Sequence, residues 1–242
     1  MSSNSLLIDL GGTSTRLALS SDLDKLSIIE TSTKPQELIE AIKTIVQGWD
    51  FKEIKVAAAG HWNQDQILVQ SHNLANYIGY PIWQELSKEL NSRFELHDDM
   101  FYSAIGEAVI GQKNQYQNLL YLNLGTGIGA SFYDGSQVMS RNYSPCLRLD
   151  LKPHPKGIFY SKSITADNQS SIAALQDDLI YLALIISPEI ICIGGGKAKQ
   201  HWTSIVEPAI KASIEYLNQN LCYKIKIEQA KLEYPAMQGM SI

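Results

Sequence analysis

The chain has 242 residues, 45% of them hydrophobic, a composition typical of globular proteins rather than disordered ones. Its 20 lysine and arginine residues against 25 acidic residues give a net charge of -5, which argues against nucleic acid or an anionic membrane as a partner. Because the N-terminal segment has no basic region and no apolar stretch is long enough to span a bilayer, we predict a cytoplasmic protein.

The first clear pattern is the segment LLIDLGGTSTRLALS at 6–20, where two apolar runs flank the glycine-rich turn 11–13. Apolar runs on both sides of such a turn predict a β-hairpin. Further on, Pro35 stands at a possible first helical position, and apolar residues follow at helical spacing through 38–46. We predict an amphipathic helix there and a buried strand at 54–60.

The second half repeats the opening plan at 119–133, LLYLNLGTGIGASFY, where an apolar run, Asn123 and a glycine-threonine turn precede another apolar run. Helices are predicted at 171–187 and 201–221, and Pro208 should kink the second of these or delay its start. Between them, 188–196 predicts a strand that ends in a glycine turn. Strands and helices alternate in both halves, which indicates an α/β fold.

Three glycine-rich turns are candidates for binding phosphate, because glycine lets backbone amides approach phosphate oxygens closely. They lie at 11–13, 125–127 and 194–196. Each alone is more typical of a plain hairpin turn, whereas together they indicate a nucleotide. A Rossmann site or a P-loop is excluded, because both need a helix directly after the glycines and 14–20 continues as β-like sequence.

The motifs themselves resemble those of a known family. DLGGTSTRLAL at 9–19 is similar to the first phosphate motif of the actin-like sugar kinases, and LNLGTGIG at 122–129 is similar to the second. PEIICIGGG at 188–196 resembles their adenosine motif. HDDMFYSAIGE at 97–107 resembles the Asn-Asp-Ala-Asn-Ala-Ala-Ala-Leu-Gly-Glu segment of the ROK (repressor, ORF, kinase) family. The chain thus resembles glucokinase-like ROK sugar kinases.

The resemblance covers nearly the whole chain, since NLANYIG at 73–79 and AKLEYPAMQGM at 230–240 are also similar to ROK segments. It implies a two-lobed actin-like ATPase fold, related to ribonuclease H, with an interlobe cleft. Residues 1–112 would form the N-terminal lobe, with the first phosphate motif and the catalytic aspartate. Residues 113–242 would form the C-terminal lobe, with the second phosphate and adenosine motifs.

The resemblance also implies roles for individual residues in an ATP-dependent transfer to a hexose hydroxyl. Asp99 would be the general base, and Asp9 would orient Mg²⁺ through its water shell. The implied ATP and phosphate ligands are Asp9, Gly11, Gly12, Thr13, Arg16, Gly125, Thr126, Gly127, Gly194, Gly195 and Gly196. The implied sugar ligands are Asn73, Asp98 and Asp99.

Two of these assignments have ordinary structural alternatives. Asp98 and Asp99 could simply cap a helix through 100–110, because aspartate at a helix start satisfies free amides. Capping and catalysis are compatible if one carboxylate caps while the other faces the substrate. Asn73 could equally be an ordinary loop asparagine.

The chain departs from the family pattern on the sugar side. ROK kinases usually carry a Gly-Glu-Ile-Gly-His motif and a cysteine-rich zinc loop, whereas 141–163 has neither. Asp98 stands where the family has asparagine, and a second charge beside Asp99 should raise one pKa of the pair. Cys146, Cys192 and Cys222 lack any metal-ligand spacing, so we predict buried free thiols and no zinc site.

Several functions remain open at this point. The leading hypothesis is a hexose kinase acting on glucose or an N-acetylhexosamine, with ATP and Mg²⁺ and a small-molecule sugar substrate. The alternative is a catalytically weak nucleotide-binding sensor; a pantothenate kinase-like enzyme fits the motifs less well. A repressor is disfavoured, because the first phosphate motif begins at Asp9 and leaves no room for a DNA reader. A homodimer is possible through an apolar face of the second lobe.

Overall fold

The computed structural model describes residues 4–71, 73–125, 128–136, 138 and 168–242. The chain divides into two compact units, one made of Met1–Gly106 with Tyr234–Ile242 and the other of Glu107–Glu233. The C-terminal segment therefore groups with the N-terminal residues. Features predicted at 139–167, Cys146 among them, lie outside the described residues.

The first unit is built on a five-stranded sheet. Its strands and those of a separate two-stranded ribbon are β1 (Ser5–Leu10), β2 (Ser14–Leu19), β3 (Asp22–Glu30), β4 (Glu53–Ala58), β5 (His61–Trp62), β6 (Leu68–Gln70) and β7 (Arg93–His97). The sheet order is β3-β2-β1-β4-β7, and β5 pairs with β6. β1 runs antiparallel to β2 and parallel to β4. The predicted hairpin and the predicted strand at 54–60 are confirmed.

The described residues before 107 form three α-helices, α1 (Pro35–Ile45), α2 (Ile82–Glu89) and α3 (Asp99–Gly106), and one 3-10 helix, Ala75–Tyr77. α1 confirms the predicted amphipathic helix, with Pro35 in its first turn, where a missing amide hydrogen costs nothing. α1 and α2 cover one face of the sheet, where Leu6, Ile8 and Leu10 of β1 are buried. Because strand side chains alternate between faces, Leu7 and Asp9 lie on the other face.

The second unit contains a four-stranded sheet of order β11-β10-β8-β9. Its strands are β8 (Leu119–Leu124), β9 (Ile128–Tyr133), β10 (Ile190–Gly194) and β11 (Lys226–Gln229). β8 runs antiparallel to β9 and parallel to β10, as β1 does to β2 and β4. The predicted repeat is thus confirmed at the level of strand pairing.

The α-helices described in the second unit are α4 (Asn168–Ile186), α5 (Gly196–Gln200) and α6 (Glu207–Leu221), and a π-helical segment, Glu107–Gly111, opens the unit. α4 and α6 confirm the helices predicted at 171–187 and 201–221. Pro208 does delay the start of the second, because a π-helical segment, Trp202–Val206, precedes α6 and the proline lies in its first turn. Within the described ranges, no helix has both the length and the hydropathy needed to cross a bilayer.

The cysteine prediction is confirmed at one described position and wrong at the other. Cys192 is buried in β10 and its thiol forms no disulfide. Cys222 is exposed, contrary to the prediction, because it ends α6 on the surface in the left-handed conformation with φ of 50°. Gly or Asn is the usual residue at such a helix end.

A last helix, α7 (Pro235–Met240), covers the Asp9 face of the first sheet together with α3. The two helices pack backbone to backbone through glycine. A Cβ at Gly239 would collide with the carbonyl oxygen of Tyr102, and a Cβ at Gly106 would lie 2.9 Å from the amide nitrogen of Gly239. The C-terminal segment thus packs against β1, the strand that leads into the glycine turn at 11–13.

Candidate active site

The first candidate phosphate turn, at 11–13 between β1 and β2, is held by hydrogen bonds from Thr31. The Thr31 amide donates to the Thr13 carbonyl at 3.0 Å, and its hydroxyl donates to the Gly11 carbonyl at 2.8 Å. The Gly11 amide is used within the turn, where it donates to the Ser14 carbonyl at 3.1 Å. These bonds hold the turn in one shape.

Gly12 and Thr13 form the exposed tip of this turn. Their amides have no hydrogen-bond partner in the described part of the chain, so they are the ones available to an anion. Gly12 lies directly against Asn73, because a Cβ at Gly12 would collide with the Asn73 Cβ and lie 3.1 Å from its carbonyl oxygen. The structure thus brings the phosphate turn and the candidate sugar ligand together.

Asp9 and Arg16 are cross-strand partners on β1 and β2. Nη1 of Arg16 donates to Oδ2 of Asp9 at 2.9 Å, and both side chains are largely buried, with exposed fractions of 28% and 14%. The guanidinium also lies over the ring of Tyr234, with Cζ 5.3 Å from the ring centroid. Burial raises the pKa of Asp9, and the Arg16 charge opposes that rise.

Asp98 and Asp99 stand where β7 leads into α3. The Met100 amide donates to Oδ1 of Asp98 at 2.9 Å and to Oδ1 of Asp99 at 3.0 Å. Since α3 begins at Asp99, Asp98 is its N-cap residue and satisfies an amide that the first turn leaves free. The capping interpretation is therefore confirmed, and it leaves Asp99 on the first helical turn.

The pKa of Asp99 lies well above its ordinary value. Burial is the main cause, followed by the negative charges of Asp98 and Asp9 and by a hydrogen bond between the Asp98 and Asp99 side chains. The expected rise at one member of the pair is confirmed, although burial contributes more than the neighbouring charge. The charge of Asp98 and its hydrogen bond to Asp99 therefore add to the effect of burial on the pKa of Asp99.

The glycine turn of the second unit lies at the end of β10. Gly194 pairs with Asn123 of β8 in the parallel register. Gly195 has φ of 99° and ψ of 157°, a conformation almost restricted to glycine, and a Cβ there would lie 2.5 Å from the Leu124 carbonyl oxygen. Gly196 is the first residue of α5, where a Cβ would meet nothing.

Only part of the second phosphate motif can be placed. Gly125 follows β8 directly, whereas Thr126 and Gly127 lie outside the described residues. In the second unit the structure thus brings the 194–196 turn against the end of β8, at Asn123 and Leu124. In the first unit it gathers Asp9, Arg16 and the Asp98–Asp99 pair.

Glu107, which closes the ROK-like segment, has a structural role. Its fully buried carboxylate accepts hydrogen bonds from the amides of Lys231 and Leu232, at 3.0 and 3.3 Å, and from Nε2 of Gln112 at 3.1 Å. The carboxylate also fills the space beside Gly111, where a Cβ would lie 2.7 Å from Oε1. Buried carboxylates need such partners.

Three residues of these sites were not predicted from the sequence. Thr31, which follows β3, donates a hydrogen bond to the first turn, and Tyr234 contacts Arg16 from 218 positions along the chain. The sequence around each of these two residues gives no indication of its role. Asn123 did carry one, because it occupies in the repeat the position that Asp9 has in the first motif.

The described residues contain no group of three or more histidine, cysteine or acidic side chains placed to hold a metal ion. Asp9 nevertheless offers a hard carboxylate, which suits Mg²⁺, an ion that keeps several waters and is held by one or two carboxylates with substrate phosphates. A single carboxylate beside an exposed phosphate turn fits that mode of binding.

Comparison with known proteins agrees with the sequence motifs. The sequence model of the ROK family matches residues 5–140. A protein of Bacillus subtilis (strain 168) described as a candidate fructokinase is 24% identical, over 78% of this chain and 76% of its own. The N-acetyl-D-glucosamine kinase of Haemophilus influenzae (strain 86-028NP) is 29% identical, over 55% of this chain and 47% of its own.

Solved structures show the same fold. A ROK family glucokinase from Streptomyces griseus, in complex with glucose and AMPPNP, superposes with a TM-score of 0.76 at 14% identity, over 98% of each chain. The ROK hexokinase from Thermus thermophilus gives a TM-score of 0.75 at 17% identity, over 98% of this chain and 96% of that one. The predicted α/β fold of the actin-like ATPase superfamily is confirmed.

Proposed function

This chain belongs to the ROK family, and from that membership we propose that it is an ATP-dependent kinase that phosphorylates a hydroxyl of a hexose or hexose derivative. The observation that carries the proposal is Asp99, a partly buried carboxyl at the start of α3 whose raised pKa is due in part to the nearby charge of Asp9. Curated relatives named for fructose and N-acetylglucosamine support a sugar acceptor. The proposed donor is ATP and the proposed location is the cytoplasm.

In the proposed reaction Asp99 accepts the proton of the acceptor hydroxyl. The hydroxyl oxygen forms a bond to the γ-phosphorus while the bond to the β–γ bridging oxygen breaks, so a sugar phosphate and ADP result. A general base works best when its pKa lies near the working pH, and an ordinary aspartate is too acidic for this. The burial that raises the pKa of Asp99 therefore makes it a better base.

The proposed nucleotide ligands are those that the motifs indicate. The amides of Gly12 and Thr13 would bind phosphate oxygens, and Gly125, Thr126, Gly127 and Gly194 to Gly196 are the other proposed ligands. Asp9 would hold Mg²⁺ through water, and that ion supplies positive charge that neutralises the phosphates. Arg16 keeps one oxygen of Asp9 in place.

Asn73 and Asp98 are the proposed sugar contacts beside Asp99. Because Gly12 and Asn73 are in direct contact, a movement of either residue displaces the other. Binding of the sugar at Asn73 and of phosphate at Gly12 would therefore be coupled. Asp98 differs from the family asparagine because an ionised carboxylate only accepts hydrogen bonds.

The direct test is an assay of ADP release with purified protein, Mg²⁺, ATP and a panel of hexoses, amino sugars and N-acetylated sugars. Release that depends on one sugar supports the kinase and identifies its acceptor. Intact ATP binding with no stimulation by any sugar would overturn the kinase proposal in favour of the nucleotide-binding sensor.

Replacement of Asp98 by asparagine should move the acid limb of kcat/KM to lower pH. The Asp98 charge raises the pKa of Asp99, so removing it lets Asp99 stay ionised further into the acid range. A pH profile of sugar-dependent ADP release measures the shift. Asp24→Asn, which removes an equal charge from an exposed position of β3, should leave the profile unchanged. An unmoved limb in Asp98→Asn would contradict the coupling.

A further inference from the structure

Tyr234 lies immediately before α7, far from the phosphate motifs in the sequence, and its ring lies under the Arg16 guanidinium. We propose that Tyr234 is a positioning residue, which acts through Arg16 to fix the Asp9 carboxylate for a metal–nucleotide complex. The inference rests on the proposed function, because that function assigns Asp9 to the metal. It adds a residue that no motif of the sequence indicated.

The geometry makes Arg16 depend on Tyr234. Besides the bond from Nη1 to Asp9, the ring contact is what holds the guanidinium, since Nε of Arg16 is buried without a hydrogen-bond partner among the described residues. An arginine over an aromatic face is attracted by the ring quadrupole, and the attraction grows when the pair is partly shielded from water. Without the ring, the long side chain regains other rotamers.

Asp9 in turn depends on Arg16. The bond to Oδ2 fixes the carboxylate plane, and therefore the direction in which the second oxygen points. A carboxylate that binds Mg²⁺ through water must present that oxygen in a fixed direction. Residues that hydrogen-bond to a metal-binding side chain commonly set its orientation. Tyr234 therefore favours metal-dependent binding of the nucleotide and contributes nothing to metal-free binding.

The topology adds a consequence for folding. Tyr234 opens the C-terminal segment that returns to the first unit, and α7 packs on the Asp9 face through Ala236, Met237 and Met240. The ring can reach Arg16 only after this segment has docked. Full assembly of the metal-binding group is thus tied to docking of the last residues of the chain.

Calorimetric titration with ADP, with Mg²⁺ present and with the metal removed by EDTA, tests the proposal without any catalytic readout. Tyr234→Leu should weaken ADP binding in Mg²⁺ by about 3- to 30-fold, the range of a cation–π contact, and leave metal-free binding unchanged. Tyr234→Phe keeps the ring and should bind like the wild type. Leu26→Ala removes packing from the same cluster but takes away neither the Arg16–Asp9 hydrogen bond nor the ring contact, so both titrations should be unchanged.

A double variant separates positioning from packing. In an Arg16→Met background, Tyr234→Leu should have no further effect on Mg²⁺-dependent binding if it acts through Arg16. Equal weakening with and without Mg²⁺, or an undiminished effect in the double variant, would overturn the role of Tyr234. Wild-type protein that binds ADP equally with and without Mg²⁺ would overturn the metal assignment of Asp9 as well, whereas the sugar assay above tests the kinase itself.

Discussion

Asp99→Asn is expected to slow sugar phosphorylation by about 100- to 10,000-fold, the usual contribution of a general base, while making the protein more stable. The rate falls because an amide cannot accept the hydroxyl proton. ADP release with the preferred sugar measures the rate, and titration with nucleotide should show that ATP binding is retained. An unchanged rate would remove Asp99 as the base.

The gain in stability follows from the raised pKa of Asp99. The folded protein holds the Asp99 proton more tightly than the unfolded chain, so stability falls as pH rises from the unfolded pKa through the folded one. At neutral pH the partly desolvated Asp99 carboxylate destabilises the folded protein, and a neutral amide removes that effect. Asp99→Asn should therefore raise the free energy of unfolding by about 0.5–2 kcal/mol, a typical gain for one stabilising substitution.

Thermal melting at several pH values checks this sign. The melting temperature of Asp99→Asn should exceed that of the wild type at neutral pH, and the two should converge in acid, where the carboxyl is neutral in both states. A variant that is inactive and more stable cannot owe its inactivity to misfolding. A lower melting temperature at neutral pH would contradict the electrostatic description of the pair.

Gly239→Ala is expected to destabilise the protein by about 1–3 kcal/mol through overpacking. The added Cβ would run into the Tyr102 carbonyl oxygen, which belongs to the backbone of α3 and cannot rotate away as a side chain could. Displacing α7 also disturbs the helix that carries Asp99, so activity should fall with stability. Urea unfolding and the sugar assay measure the two effects.

Gly196→Ala is the matched control for the stability measurement. Its Cβ would have no neighbour within 4 Å, and the residue opens α5 with an ordinary backbone conformation. Alanine is the better helix former, so Gly196→Ala should be neutral or slightly stabilising. Equal stability of Gly239→Ala and the wild type would show that α3 and α7 are not in the close contact described.

The strongly patterned elements could be predicted because each signal is local. The hairpins at β1–β2 and β8–β9 show apolar runs around a glycine turn, and α1 shows helical spacing after a proline. Elements with weak patterns were not predicted. β3 is an edge strand whose residues are all exposed or half-buried, and α7 has only six residues, one of them the Gly239 that its packing requires.

The candidate site divides in the same way. Asp9, Asp98 and Asp99 stand in motifs that can be recognised by order and spacing, and capping of α3 follows from aspartate at a helix start. The contacts that support them cross long stretches of chain. Thr31 braces a turn at 11–13, and Tyr234 braces Arg16, so no short window of sequence holds both partners.

By itself, the sequence determined the fold class, the repeated β-hairpin plan and the residues that carry charge at the site, because propensity, periodicity and motif spacing are properties of neighbouring residues. The tertiary structure alone decided which partners act on those residues. Partial burial of Asp99 at the start of α3 raises its pKa, and return of Tyr234–Ile242 to the first unit places an aromatic ring on Arg16. Desolvation and long-range contact depend on how the chain packs, and no local pattern encodes them.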